Sequence, residues 1–218
     1  MSNRTTLILT VTLILIATLA SVLLAPQMPE EMASHWNAQG EVDGYQSKFW
    51  GLYLMPLVSL GMLGLYLLIP QIDPLKENIA RFRGYFNTFI VLMLVFLLYV
   101  HGLSLAWNLG YTGFDMGRAM TPAIGLLFIY IGVLLKNARR NWFIGIRTPW
   151  TLSSERVWDA THRRGSVLYI GAGVVTLLGL LFERWAIWFV IVPVIVASLY
   201  LVVYSYFLWR SEQASGQA

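Results

Sequence analysis

TTLILTVTLILIATLASVLLA, running from Thr5 to Ala25, holds no charged residue. An apolar run of about 20 residues spans a hydrocarbon core of about 30 Å as an α-helix. Inside lipid every backbone N–H and C=O must be paired within its own segment, so the run is a helix and not a strand. A secretory signal peptide would have an apolar region of about 7–15 residues ending at a small-residue cleavage site. This run is longer and lacks an A-x-A ending, so it reads as a retained span. Five further runs of the same kind follow at 49–69, 85–107, 119–135, 167–182 and 185–208. The expected fold is therefore an all-α integral membrane bundle of six transmembrane helices.

Composition agrees. Of 218 residues, 57% are hydrophobic and 12% charged, with a mean hydropathy of +0.64, whereas a soluble domain carries about 25% charged residues. The chain has no cysteine, which removes disulfides, thiolate catalysis and Cys-based metal sites. The net charge of +4 points to loop orientation and not to direct nucleic-acid binding. With the N-terminus inside, Arg4, Lys76, Arg81, Arg83, Lys136, Arg139, Arg140, Arg147, Arg156, Arg163, Arg164 and Arg210 fall on the cytoplasmic side. Only Lys48, Arg118 and Arg184 fall outside. That split predicts that both termini are cytoplasmic. Trp50, Tyr53, Tyr85, Trp107, Trp142, Trp185, Trp188 and Trp209 lie near the proposed interfaces, as an aromatic belt requires. The domain reading is a two-span unit over 1–69, a four-span unit over 70–210 and a flexible tail over 211–218.

The spans carry no Asp, Glu, Lys or Arg away from their ends, so they read as scaffold and not as an ion path. His101, in the outer part of the third span, is expected to be a neutral imidazole bonded to a neighbouring helix. Gly61, Gly64, Gly171, Gly173 and Gly179 are candidates for close helix approach, and Pro193 for a kink.

Two loops carry the remaining information. The outer one, 26–48, has a net charge of −3. Pro29 followed by Glu30 and Glu31 predicts a short helix with Glu31 and His35 on one face, and Gly40 and Asp43-Gly44 predict turns. Glu31, His35 and Asp43 are possible metal ligands by type, but without a metalloprotease-type spacing no metal or other cofactor is expected. The inner loop, 136–165, has a net charge of +5, enough to attract anionic lipid headgroups. Arg147-Thr148-Pro149-Trp150 forces an extended residue before proline. A helix from about Ser154 to Arg164 would pair Asp159 with Arg163 and set Glu155, Trp158 and His162 on one face. Arg147 is expected to form a bidentate pair or to stack on Trp150 or Trp158. Ser153 or Ser154 with His162 lacks the context of a nucleophile elbow, so no catalytic residue is assigned.

The inner segment NWFIGIRTPWTLSSERVWDATHRRG is similar to the hallmark of the SdpI family. The outer HWNAQGEVDGYQSK resembles the His-Trp-Asn…Gly…Asp-Gly…Lys signature of an N-terminal region associated with it. The matching positions are His35, Trp36, Asn37, Gly40, Asp43, Gly44 and Lys48 outside. Inside they are Asn141, Gly145, Arg147, Thr148, Pro149, Trp150, Thr151, Leu152, Trp158 and His162. The resemblance implies a non-enzymatic, multi-pass immunity and signalling protein of the bacterial plasma membrane, protecting against a secreted, membrane-active peptide toxin. In the family's namesake, toxin engagement is coupled to holding a small transcriptional repressor at the membrane. The two loops are then partner-binding surfaces for an extracellular peptide and a cytoplasmic repressor, with membrane lipids around them. A small-molecule or lipid transporter is the alternative function, and an intramembrane enzyme a remote third.

Overall fold

A computed structural model describes residues 1–182 and 185–216. Arg184, counted above with the outer charges, lies outside the described residues. Among the described residues six helical segments are long and apolar enough to cross a membrane, so the chain is a mostly helical bundle consistent with six transmembrane spans. Five of the spans correspond to helices α1 (Asn3–Leu24), α2 (Lys48–Ile72), α4 (Arg83–Asn108), α5 (Met116–Asn137) and α7 (Glu155–Leu178). The sixth is α8 (Ala186–Ala214), and two short helices, α3 (Lys76–Arg81) and α6 (Pro149–Ser153), lie between spans. Leu15, Leu19, Leu199 and many other apolar side chains are exposed around the rim, as they should be where the solvent is lipid.

The helices form two groups of three. α1, α2 and α4 contact one another, α7 packs on α5 and α8, and the groups meet chiefly where α4 touches α5. Lipid supplies little hydrophobic drive between helices, so close backbone approach matters. A Cβ on Gly132 would stand 2.7 Å from the Ser166 carbonyl oxygen, and one on Gly173 would stand 2.6 Å from that of Gly125. Gly173 and Gly179 therefore meet neighbours as the spacing predicts, whereas Gly61, Gly64 and Gly171 face open space. α8 continues through Pro193 and on to Ala214, taking in four residues of the expected tail.

The start of α1 and the C-terminal half of α8 lie at the end of the bundle that holds the 138–154 segment. Asn87 Nδ2 donates to the Met1 carbonyl (3.0 Å), Asn78 Nδ2 to the Arg140 carbonyl (2.8 Å), and the Thr148 and Ser205 hydroxyls meet at 3.1 Å.

Three local expectations are corrected. Residues after Pro29 form no helix: strands β1 (Glu31–Trp36) and β2 (Val42–Ser47) pair as an antiparallel hairpin. The Asp43-Gly44 pair lies within β2, and the turn is at Gly40, with φ 80°. The helix expected over 154–164 is the first part of α7, so the fifth span begins far earlier. Its Asp159 faces Arg139 at 4.0 Å in place of Arg163, and Glu155 lies 3.6 Å from Arg140.

Candidate functional site

The outer motif residues build the hairpin. Its register passes from His35–Gly44 to Trp36–Val42, leaving Asp43 as a bulge. A bulge re-aims its side chain, and here Asp43 Oδ1 sits 2.5 Å from His35 Nδ1 with both side chains solvent-accessible. Asn37 closes the turn: its Oδ1 accepts from the Gln39 and Glu41 N–H groups at 2.9 and 3.0 Å, and its Nδ2 donates to Glu41. Lys48 ties the base to Glu30 through Nζ (3.1 Å) and through its backbone N–H (2.9 Å). Gly44 admits the His35 side chain, since a Cβ there would stand 2.9 Å from His35 Cβ.

Three seats hold this hairpin on the helices. Met32 packs into the space left by Gly51 of α2. The Asn108 amide at the end of α4 accepts from the Ala33 N–H (2.8 Å) and donates to the Ala33 carbonyl (3.1 Å), standing in for a third strand. The tip is the third, where Gly40 lies against the Asp115 carboxylate that caps α5. The hairpin thus reaches from one helix group to the other.

Beneath it a cleft of about 1150 Å³ opens between the groups, its lining including Trp36, Met55, His101, Thr121, Ile124 and Val190. Trp36 also packs edge-on against Trp107, with ring centroids 5.6 Å apart. His101 Nε2 meets the Ser21 hydroxyl at 2.9 Å, and that oxygen lies 2.5 Å from the Leu52 carbonyl, so one node joins α4, α1 and α2. The expected bond to a neighbouring helix is present. Trp36 Nε1 and His101 Nδ1 are buried and have no hydrogen-bond partner among the described residues. Buried polar atoms are rarely left so, and both belong to side chains that line the cleft.

At the opposite end the inner motif forms a closed knot. Asn141 donates to the Arg139 and Ile144 carbonyls and accepts from the Phe143 and Ile144 N–H groups. His162 Nε2 accepts from the Ile146 N–H (3.0 Å) while Nδ1 donates to the Trp158 carbonyl (2.8 Å). These two bonds fix a neutral ring protonated on Nδ1. Trp158 is fully buried, stacks on His162 at 3.9 Å, and donates to the Ala138 carbonyl. Gly145 has φ 119°, and a Cβ there would collide with His162 Nε2. Thr148 and Thr151 cap α6 reciprocally, with Pro149 in its first turn. Leu152 packs on the apolar core, and its carbonyl accepts from Arg140 Nη1.

The expected partner of Arg147 is different. Its Nη1 donates to the Trp142 carbonyl (2.8 Å) and its side chain is exposed. Trp150 packs on Tyr206 and Trp158 on His162, so neither ring receives the guanidinium. Of the inner motif residues Arg147 and Pro149 are exposed, with Trp142 exposed beside them. Among the described residues no group of three His, Asp or Glu side chains comes together as a metal site.

Several residues of these sites were missed from sequence. Asn108 and Asp115 seat the hairpin, and buried Asp73 accepts the Trp142 N–H at 2.9 Å. Each is a lone polar residue just past a span or at the start of one, a weak signal in itself.

Residues 137–205 match the model of the SdpI/YfhL protein family, and residues 12–60 match that of DUF1648, a domain of unknown function. The chain is thus similar to the SdpI/YfhL family in its C-terminal part and to DUF1648 in its N-terminal part. The family match takes in the inner knot from Asn141 to His162. The DUF1648 match covers the second half of the first span, the hairpin and the first half of α2. Over 211 residues the chain is 27% identical to the immunity protein SdpI of Bacillus subtilis (strain 168), covering 95% of this chain and 98% of that protein. It is thus a distant homologue of an immunity protein. No solved structure matches.

Proposed function

We propose that this protein is a plasma-membrane immunity protein that captures a secreted, membrane-active peptide in the hairpin-roofed cleft. The Lys/Arg distribution supports an orientation with both termini in the cytoplasm, which turns the hairpin outward. The cleft carries the reading. Met55, Ile124 and Val190 give it an apolar wall, the hairpin over it carries the exposed His35–Asp43 pair, and Trp36 and His101, which line it, each have a buried nitrogen without a partner among the described residues. A peptide that partitions into the membrane offers both apolar side chains and amide groups to meet them. The work asked of the protein is binding, without catalysis. At the other end the exposed Trp142, Arg147 and Pro149 are suited to docking a cytoplasmic partner such as a transcriptional repressor.

The test is survival of a peptide-sensitive bacterium producing the protein. Ile124→Trp, which pushes a larger ring from the wall into the cleft, should lower protection while the amount of membrane-inserted protein stays constant. His35→Ala and Asp43→Ala should also lose protection, at a folding cost of less than about 1 kcal/mol for an exposed pair. Full protection by the Ile124→Trp variant would remove the cleft from the mechanism.

A further inference from the structure

A second groove, of about 740 Å³, lies at the opposite end of the bundle from the cleft. Arg4, Lys76 and Arg83 line it together with one acid, Glu77, and its apolar wall includes Leu7 and Leu67. These residues come from α1, α2, α3 and α4, and none belongs to either motif.

Arg83 is held in place. Its Nε donates to Asn87 Oδ1 (2.9 Å) and Asn3 Oδ1 (3.2 Å), and Asn87 in turn donates to Asn3 Oδ1 (2.8 Å). The guanidinium carbon lies 4.7 Å from the Tyr66 ring centroid and 5.3 Å from that of Phe86. Its terminal nitrogens form no hydrogen bond among the described residues, so the part of the fork that suits a phosphate is unspent. Tyr66, also on the groove wall, is 2% exposed, and its hydroxyl has no hydrogen-bond partner among the described residues. A buried hydroxyl needs an acceptor. Leu7 and Leu67 are 40% and 47% exposed on the lipid-facing side of their helices.

We infer that this groove binds one anionic phospholipid. The headgroup phosphate meets Arg83, Lys76 and Arg4, an ester or phosphate oxygen accepts from the Tyr66 hydroxyl, and an acyl chain lies along Leu7 and Leu67. Diffuse attraction of basic residues to an anionic leaflet needs none of the fixed geometry around Arg83 and offers nothing to Tyr66. A free phosphate would leave the apolar wall unused. The inference does not depend on the immunity reading.

The experiment measures lipid retention by the purified full chain, by native mass spectrometry with phosphatidylglycerol or phosphatidylcholine, with inorganic phosphate as competitor. Phosphatidylglycerol should bind saturably with one lipid per chain and be preferred over phosphatidylcholine. Lys76→Gln should weaken it about fivefold, the effect of roughly 1 kcal/mol per basic residue near a lipid surface. Arg83→Gln should weaken it more, and Tyr66→Phe should weaken it with no change of charge. Arg81→Gln, one charge removed from the same end but outside the groove, should leave it intact. Should Arg83→Gln fail to insert, the exposed Lys76 and the near-isosteric Tyr66→Phe still decide the matter. Equal losses at Lys76 and Arg81, an unaffected Tyr66→Phe, or the absence of a headgroup preference would overturn the site. Displacement of the lipid by millimolar inorganic phosphate would make it an anion site and overturn the lipid assignment.

Discussion

Gly145 shows how one backbone angle can hold a motif together. Its φ of 119° is open to glycine and costly for other residues, and His162 Nε2 occupies the space a Cβ would need. Gly145→Ala should therefore cost about 1–3 kcal/mol, read as a lowered unfolding temperature in detergent and less protein inserted at steady state. An unchanged melting curve would mean that the loop backbone rearranges freely. Arg147 behaves differently, because its one hydrogen bond runs to a carbonyl and its side chain is exposed. A lysine ammonium can donate that bond too. Arg147→Lys should leave stability within about 0.5 kcal/mol, the usual range for a surface change. If the guanidinium docks a cytoplasmic partner, capture of that partner should fall in the same variant, and co-purification from membranes measures it. Retained capture would restrict this arginine to closing the loop.

Among the elements, the hairpin depends most on a single side chain. Asn108 satisfies both polar groups of Ala33, and an isolated two-stranded hairpin is marginal in water. Asn108→Ala should release the hairpin. Its amides should exchange faster with deuterium and the loop should become sensitive to protease, while the helices keep their protection. Uniform loss of protection along the chain would show that the hairpin is part of the global core. The hairpin was also the element least legible in the sequence. Pro29, Glu30 and Glu31 form a sound local helix start, but Met32 and Ala33 are buried by α2 and α4, and tertiary burial overrode a weak local preference. The six spans were legible because lipid imposes their length and composition. The extension of α7 was not, because the charges of 155–164 resemble a loop although nothing there terminates a helix. His35, Asp43 and Gly40 stood out by residue type and Gly145 through the family resemblance, but that Asp43 is a bulge and that His162 caps a backbone N–H depended on partners distant in sequence.

For the whole molecule, the two helix groups and the cleft between them decide which experiments are informative. The chain has no cysteine, so single-cysteine labelling reads topology cleanly. Gln39→Cys should react with an impermeant maleimide on intact cells, and Arg210→Cys only after permeabilisation. The reverse pattern would invert the proposed orientation and with it the assignment of both loops. The node of Ser21, Leu52 and His101, together with the amide seat at Asn108, has a consequence in time. All of these groups, and the hairpin they hold, lie within residues 1–108. At about 5–20 residues per second, the rest of the chain takes the ribosome roughly 5–20 s more. During that interval the first three spans already possess every partner in the node. A chain truncated after Asn108 and released into the membrane should thus display a hairpin seated on α2 and α4, lacking only its Asp115 contact, without the second helix group.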